Sequence, residues 1–223
     1  MTCKFINIDE PAILFETALD PLSVHLWDYC GFNPVMNVDP TGYWSYNRGL
    51  AIRYATNNFN KRNKFFYNYS NNDCANFVSQ CLAAGGFPMD GLWYSYRYNC
   101  WASRPEYSFL PNNQRYQWNI SPTWRLVVDQ YEYLKVKKYI SKATLVSKSS
   151  QISSLKNVTV GDLIYFRYDK NKKFTLNHVA IITRIYKNNI YYTAHTTDRL
   201  QRNLKEYFND YKNGTVYICR IVK

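Results

Sequence analysis

From Cys74 onward the apolar positions Cys74, Phe77, Val78, Cys81, Leu82 and Gly85 follow the i, i+3, i+4, i+7, i+8 spacing of a buried helix face, and Gly85-Gly86 closes the run. Asp73 stands where an N-cap belongs. Upstream, "YWSYNRGLAIRYATNNF" places Leu50, Ile52, Tyr54, Ala55 and Phe59 near helical spacing and predicts an earlier amphipathic helix. Residues 87–120 are aromatic-rich without a clear period and are expected to form a long loop or lid. "SPTWRLVVDQYEYLKVKKY" begins with Ser121 at an N-cap and Pro122 at the first helical position, which predicts a helix. After residue 160 the period changes to two in "GDLIYFRY", "NHVAIITRIY", "IYYTAHT" and "TVYICRIV", with a turn at Lys187 to Asn189. Helices followed by antiparallel strands predict an α+β fold, N-terminal helices packed on an antiparallel sheet.

The first 42 residues differ from this pattern. They hold four of the eight prolines and end in "VDPTG", so a boundary is expected near Gly42 to Trp44, dividing 1–42 from a domain at 43–223. The stretch "LDPLSVHLWDYCGFNPVMNVDPTG" (Leu19 to Gly42) resembles the closing segment of an RHS-repeat-associated core, in which an Asn-Pro-Val turn and a final Asp-Pro-x-Gly precede a variable toxin domain. That resemblance implies an RHS shell as a partner within a larger precursor, and release near Tyr43 or Trp44. The start of the chain lacks a secretory signal, so secretion or delivery to a target cell is expected to depend on that precursor.

Charge and cysteine usage narrow the chemistry. Lys and Arg exceed Asp and Glu to give a net charge of +12, which favours anionic partners: a wall polymer, an acidic inhibitor or nucleic acid. No basic recognition helix, zinc spacing or RNA-binding signature accompanies the charge, which argues against nucleic acid. The six cysteines form no CxxC pair, which argues against a structural zinc site. No apolar run approaches the roughly 20 residues of a membrane span.

Two of these cysteines share the helix after Asp73. A helix N-terminus favours the thiolate through its unpaired N–H groups and dipole, so Cys74 is the candidate nucleophile, while Cys81 lies two turns down on the apolar stripe and is expected in the core. The base must come from three histidines. His25 lies in the N-terminal segment, leaving His178 at the start of one strand and His195 at the end of the next. An antiparallel hairpin places those ends side by side, the arrangement a base and its orienting partner require.

These motifs resemble cysteine peptidases of the NlpC and CHAP kind. "DCANFVSQCLAAGG" is similar to their Asp-Cys helix, "VGDLIYF" to the Gly-Asp-leading strand, "NHVAIIT" to the base strand and "YYTAHT" to the strand bearing the third polar residue. Together with "YNRGLAIRYA" and "HTTDR" they look most like an amidase domain family within that papain-like group. The resemblance implies a papain-like fold and a cysteine hydrolase of amide bonds without a cofactor. Cys74 would be the nucleophile, His178 the general base and then acid, and His195 the group orienting His178. The Cys74 N–H would serve an oxyanion hole. Asp198 in "HTTDR" is a rival third residue. Asp73 is expected as a cap that shapes the site, Asp162 as a brace of the strand turn, and Asn76 and Trp93 as supporting or substrate-binding residues.

The expected substrate is an amide in peptidoglycan peptides, with an acidic immunity protein as partner. A deamidase or transglutaminase-like enzyme acting on target-cell proteins is the alternative reading, followed by a basic nucleic-acid-binding toxin.

Overall fold

The computed structural model describes residues 45–99, 116–168 and 175–222, all within the second of two units, Thr41–Lys223. The RHS-type segment, His25, Cys3, Cys30, Cys100 and the expected cleavage point lie outside the described residues.

Asn47 opens the first helix, α1 (Arg48–Asn58), by accepting a hydrogen bond from Leu50 N at 3.0 Å, which satisfies one of the N–H groups a helix start leaves over. The buried residues of α1 are Ala51 and Ala55, one turn apart, and not the larger stripe expected from Leu50, Ile52 and Tyr54. Small side chains on this face let α1 lie close to α2 (Cys74–Ala84), where an added Cβ on Gly85 would come within 3.1 Å of Ala51. The second helix is buried along Cys74–Leu82, all round and not on one stripe only, so its polar residues need internal partners.

The aromatic stretch after α2 holds regular structure. Strands β1 (Ser95–Asn99) and β2 (Tyr116–Ile120) pair antiparallel from Ser95↔Ile120 to Asn99↔Tyr116. A loop was expected because no short turn signal joins them; sixteen residues of chain separate their ends. The single helix expected after Ser121 is two: α3 (Pro122–Arg125) and α4 (Val127–Val136), divided at Leu126, whose backbone is extended. In one straight helix Trp124 and Gln130 would point about 120° apart. The break lets both side chains be fully buried and bond residues of α2.

The remaining strands are β3 (Thr144–Val146), β4 (Leu163–Arg167), β5 (His178–Tyr186), β6 (Asn189–Ala194), β7 (Arg199–Asn203) and β8 (Thr215–Cys219), with α5 (Leu204–Asp210) before the last. They form a six-stranded antiparallel sheet in the order β3-β8-β4-β5-β6-β7. One face carries Ile164, Phe166, Ala180, Ile182, Tyr192 and Ala194 and is closed by Tyr207 and Phe208 of α5. Towards the other helices, the hydroxyl of Tyr165 donates to Gln130 Oε1 of α4 at 3.1 Å. The fold is thus α+β, mixed helices and an antiparallel sheet.

Lys187 and Asn188 both have positive φ (46° and 57°), as a two-residue type I′ hairpin turn requires. The β5–β6 ladder is not regular beyond it: the register shifts by one between Ile182 and Arg184. That bulge controls which residues meet at the far end of the hairpin, where the candidate chemistry lies.

Candidate active site

The chain enters α2 through a 3-10 turn, Ser70–Asn72, that delivers Asp73 and Cys74 to the helix start. Asp73 occupies the N-cap position but makes no side-chain cap bond. Its carboxylate points away from the helix N–H groups: Oδ1 accepts from Asn76 Nδ2 at 2.8 Å and Tyr69 N at 3.3 Å, and Oδ2 lies 2.6 Å from His195 Nδ1 and 3.4 Å from Arg62 Nε. The expected cap is therefore corrected to a hub beneath the helix start. Leaving the first N–H groups of α2 uncapped keeps them available near the sulfur.

The Cys74 thiol is buried, 6% exposed, and its surroundings pull in two directions. Burial pushes its pKa above the ordinary thiol value, and outweighs the Val179 N–H, the Thr196 hydroxyl and the N–H groups of Ala75 and Cys74, all of which favour the thiolate. The helix N-terminus was expected to give a low-pKa thiol; desolvation reverses that outcome. Cys81, wholly buried in the same helix, is pushed higher still with only its own backbone N–H in opposition.

Val179 follows His178, so the sulfur meets β5 one residue past the imidazole. The β5–β6 ladder begins only at Ile181↔Thr193, which leaves the Val179 N–H beyond the paired stretch. His178 is half-buried against the rings of Phe166 (centroids 5.4 Å apart) and Tyr168 (6.5 Å). Burial lowers its pKa to about 4, so at neutral pH the ring is uncharged and able to accept a proton.

His195 does not meet His178. It lies just past the end of β6, stacks on Phe77 of α2 at 3.8 Å between centroids, and uses both ring nitrogens elsewhere: Nδ1 on Asp73 and Nε2 on the Asn58 carbonyl at 2.7 Å. A carbonyl only accepts, so Nε2 carries a hydrogen. The physical reason is register. With Ile181 opposite Thr193, continuing the pairing sets Val179 against His195 and His178 against Thr196, and alternating residues point to opposite faces. The expected orienting role of His195 towards His178 is corrected to that of a clamp on Asp73.

Asp198 pairs with Arg62 at 2.9 Å and, among the described residues, bonds no histidine. Asn76 is buried, donating to Tyr67 O at 2.9 Å and accepting from Trp124 Nε1 at 2.8 Å. Trp93 is fully buried, its Nε1 donating to Ser79 Oγ at 3.2 Å, so it belongs to the core and has no surface to offer a substrate. Asp162, also wholly buried, receives Arg48 Nη1 at 2.6 Å, Ile221 N at 3.0 Å and Thr159 N at 2.8 Å, tying α1 to the entry of β4 and to the C-terminal end.

One residue near the sulfur was not singled out in the sequence. Thr196 has φ 85°, a backbone region that a β-branched residue rarely adopts, and its buried hydroxyl makes no regular hydrogen bond. That hydroxyl favours the thiolate form of Cys74. The signal available in the sequence was the place of Thr196 in "HTTDR", directly after His195. Among the described residues no group of three or more His, Cys, Asp or Glu side chains could hold a metal ion, and no helix is long and apolar enough to cross a membrane.

The chain is 28% identical over 175 residues to YhbB of Bacillus subtilis (strain 168), covering 78% of this chain and 47% of that protein. It is 26% identical over 193 residues to YjcM of the same organism, covering 83% of this chain and 39% of that one. The chain thus spans less than half the length of these relatives. No solved structure matches it. The family model described as "Putative amidase domain" matches residues 45–219, the span that carries Cys74, His178 and the whole of the sheet; the chain belongs to that amidase domain family.

Proposed function

We propose that residues 45–219 hydrolyse an amide bond as a papain-like cysteine enzyme of the NlpC and CHAP kind, with Cys74 as nucleophile and His178 as general base. The observation that carries this reading is the meeting of the Cys74 sulfur, at the uncapped start of a buried helix, with the N–H of the residue following His178. Thiol and imidazole are both neutral at rest, so His178 takes the proton as the sulfur attacks the carbonyl carbon. The tetrahedral oxyanion is served by the N–H groups at the start of α2. Collapse breaks the C–N bond, with the His178 proton passing to the leaving amine; water then adds to the thioester, loses a proton to His178 and frees the acid and the thiol. His195 acts at one remove, by fixing Asp73 and thereby the turn that presents Cys74.

Peptidoglycan stem peptides or cross-links are the substrate of this reading. Its support is the net charge of +12, suited to an anionic wall, and the resemblance of Leu19 to Gly42 to an RHS core, which favours a toxin role with an acidic immunity protein as the inhibitor. Mass spectrometry of purified peptidoglycan incubated with wild type and with Cys74→Ala tests it. Cleaved muropeptides from the wild type alone are expected; intact muropeptides with the wild type would overturn the substrate assignment.

A further inference from the structure

The walls of one surface pocket are hydrogen-bonded to the residues that bracket Cys74. Tyr67, Tyr69, Trp118, Ile120 and Arg125 line a cavity of about 280 Å³. Tyr67 and Tyr69 belong to the segment before α2: the Tyr67 carbonyl accepts from Asn76, and the Tyr69 N–H donates to Asp73. Arg125 follows Trp124, whose indole N–H binds the same Asn76. The pocket and the nucleophile thus share one hydrogen-bonded frame.

Three rings form its floor and walls. The Tyr67 centroid lies 4.7 Å from that of Tyr69 and 6.1 Å from that of Trp118, the latter edge to face. The Arg125 guanidinium stands 6.0 Å over the Tyr69 ring, and that of Arg97 lies 5.7 Å from Trp118. Arg125 is half-buried yet has no carboxylate within ion-pairing distance among the described residues. Three other half-buried arginines are ion-paired, Arg48 with Asp162, Arg62 with Asp73 and Asp198, and Arg202 with Glu206 and Asp210, while Arg167 donates to Thr215 Oγ1 at 3.2 Å. A guanidinium drawn partly out of water beside a ring, with no carboxylate partner among the described residues, can offer its planar fork to a carboxylate.

We infer that this pocket binds a carboxylate-bearing part of the substrate, with Arg125 taking the carboxylate and Tyr67, Tyr69 and Trp118 covering the apolar body beside it. This rests on the reading of the substrate as a peptidoglycan fragment, whose peptides carry free carboxylates. The pocket is then the determinant that places the neighbouring amide over Cys74 and discriminates acidic from amidated peptides.

Isothermal titration of the full chain carrying Cys74→Ala, with a soluble muropeptide bearing free carboxylates and with the same muropeptide amidated, tests the inference. The acidic form should bind at least about tenfold more tightly, the gain expected of one charge-assisted pair. Arg125→Gln should abolish that difference with the thermal midpoint unchanged, and Trp118→Ala should weaken both forms. In the active enzyme Arg125→Gln should raise KM about tenfold and leave kcat within about twofold. Equal affinity for the two forms, indifference to Arg125→Gln, binding of neither form, or tighter Arg125-dependent binding of a single-stranded oligonucleotide would overturn it. The two readings fail separately: Arg125-dependent binding without cleavage by the wild type sinks the hydrolase and keeps the pocket, and cleavage indifferent to Arg125 does the reverse.

Discussion

The Nδ1 atom of His195 lies 2.6 Å from Oδ2 of Asp73, and both residues are 1% exposed. With Nε2 on the Asn58 carbonyl, the ring links the end of α1 to the residue before Cys74. Removing the imidazole takes a hydrogen-bond partner from the buried Asp73 carboxylate and from the Asn58 carbonyl, and leaves Arg62 at 3.4 Å as the cation on Asp73, at a cost of about 3 kcal/mol. His195→Ala should therefore lower the thermal midpoint by roughly 10 °C in a domain of this size. Its kcat, corrected for the folded fraction at a temperature where the variant is folded, should fall by less than about tenfold. A loss near a thousandfold, of the size expected for a missing acid or base, would mean that His195 takes part in proton transfer after all.

With His178 as the proposed base, its depressed pKa should set the acid side of the pH profile. Its ring is charged only below about 4, so kcat/KM should hold level from neutrality down towards that value and fall below it. An acid limb near the ordinary histidine value of about 6.5 would contradict the burial assigned to this ring. The same shift links pH to stability: the unfolded chain binds a proton below about 6.5 while the native ring resists it until about 4. Stability from this group is present above pH 6.5 and is lost as the pH falls through that window. His178→Gln should flatten this part of a urea-midpoint titration.

Cys74 is pushed above the ordinary thiol range by burial. Alkylation by iodoacetamide should be slow at pH 7 and rise with pH along a titration displaced upward from that of an ordinary thiol. Thr196→Val removes the hydroxyl beside the sulfur and should displace the curve further, with kcat/KM lowered about tenfold, the worth of one hydrogen bond to a developing charge. An unchanged alkylation curve would show that the hydroxyl does not act on the sulfur.

Much of this site was legible in the sequence, and the illegible parts have identifiable causes. The helix after Asp73 and the strand at His178 could be read because each has a clear period. The placing of His178 and His195 on opposite faces could not, because a hairpin counted from the Lys187-Asn188 turn ignores the bulge at Ile182 to Arg184, and a slip of one residue moves a side chain to the other face. Trp93 sits among exposed-looking tyrosines in the sequence and is buried because Ser79, a polar residue on α2, accepts its N–H. The fate of the Cys74 proton depends on how much water the fold excludes, which no local pattern encodes.

Gly161 offers a test of the frame around Asp162. Its φ is +86°, and a Cβ there would stand 3.0 Å from Arg48 Cγ, the arginine that pairs with Asp162. Gly161→Ala should cost about 1–3 kcal/mol through backbone strain and displacement of that arginine. The midpoint of urea unfolding measures it, and a neutral result would contradict the close packing of Arg48 on this turn.

The central claim is that Cys74 carries the acyl group. Acid-quenched reactions of wild type with soluble muropeptides, followed by intact-mass and peptide-level mass spectrometry, test it most directly. An adduct equal to the acyl portion of the substrate is expected on the peptide containing Cys74, absent in Cys74→Ala along with turnover. Product formed with Cys74 never modified, or turnover retained by Cys74→Ala, would contradict it.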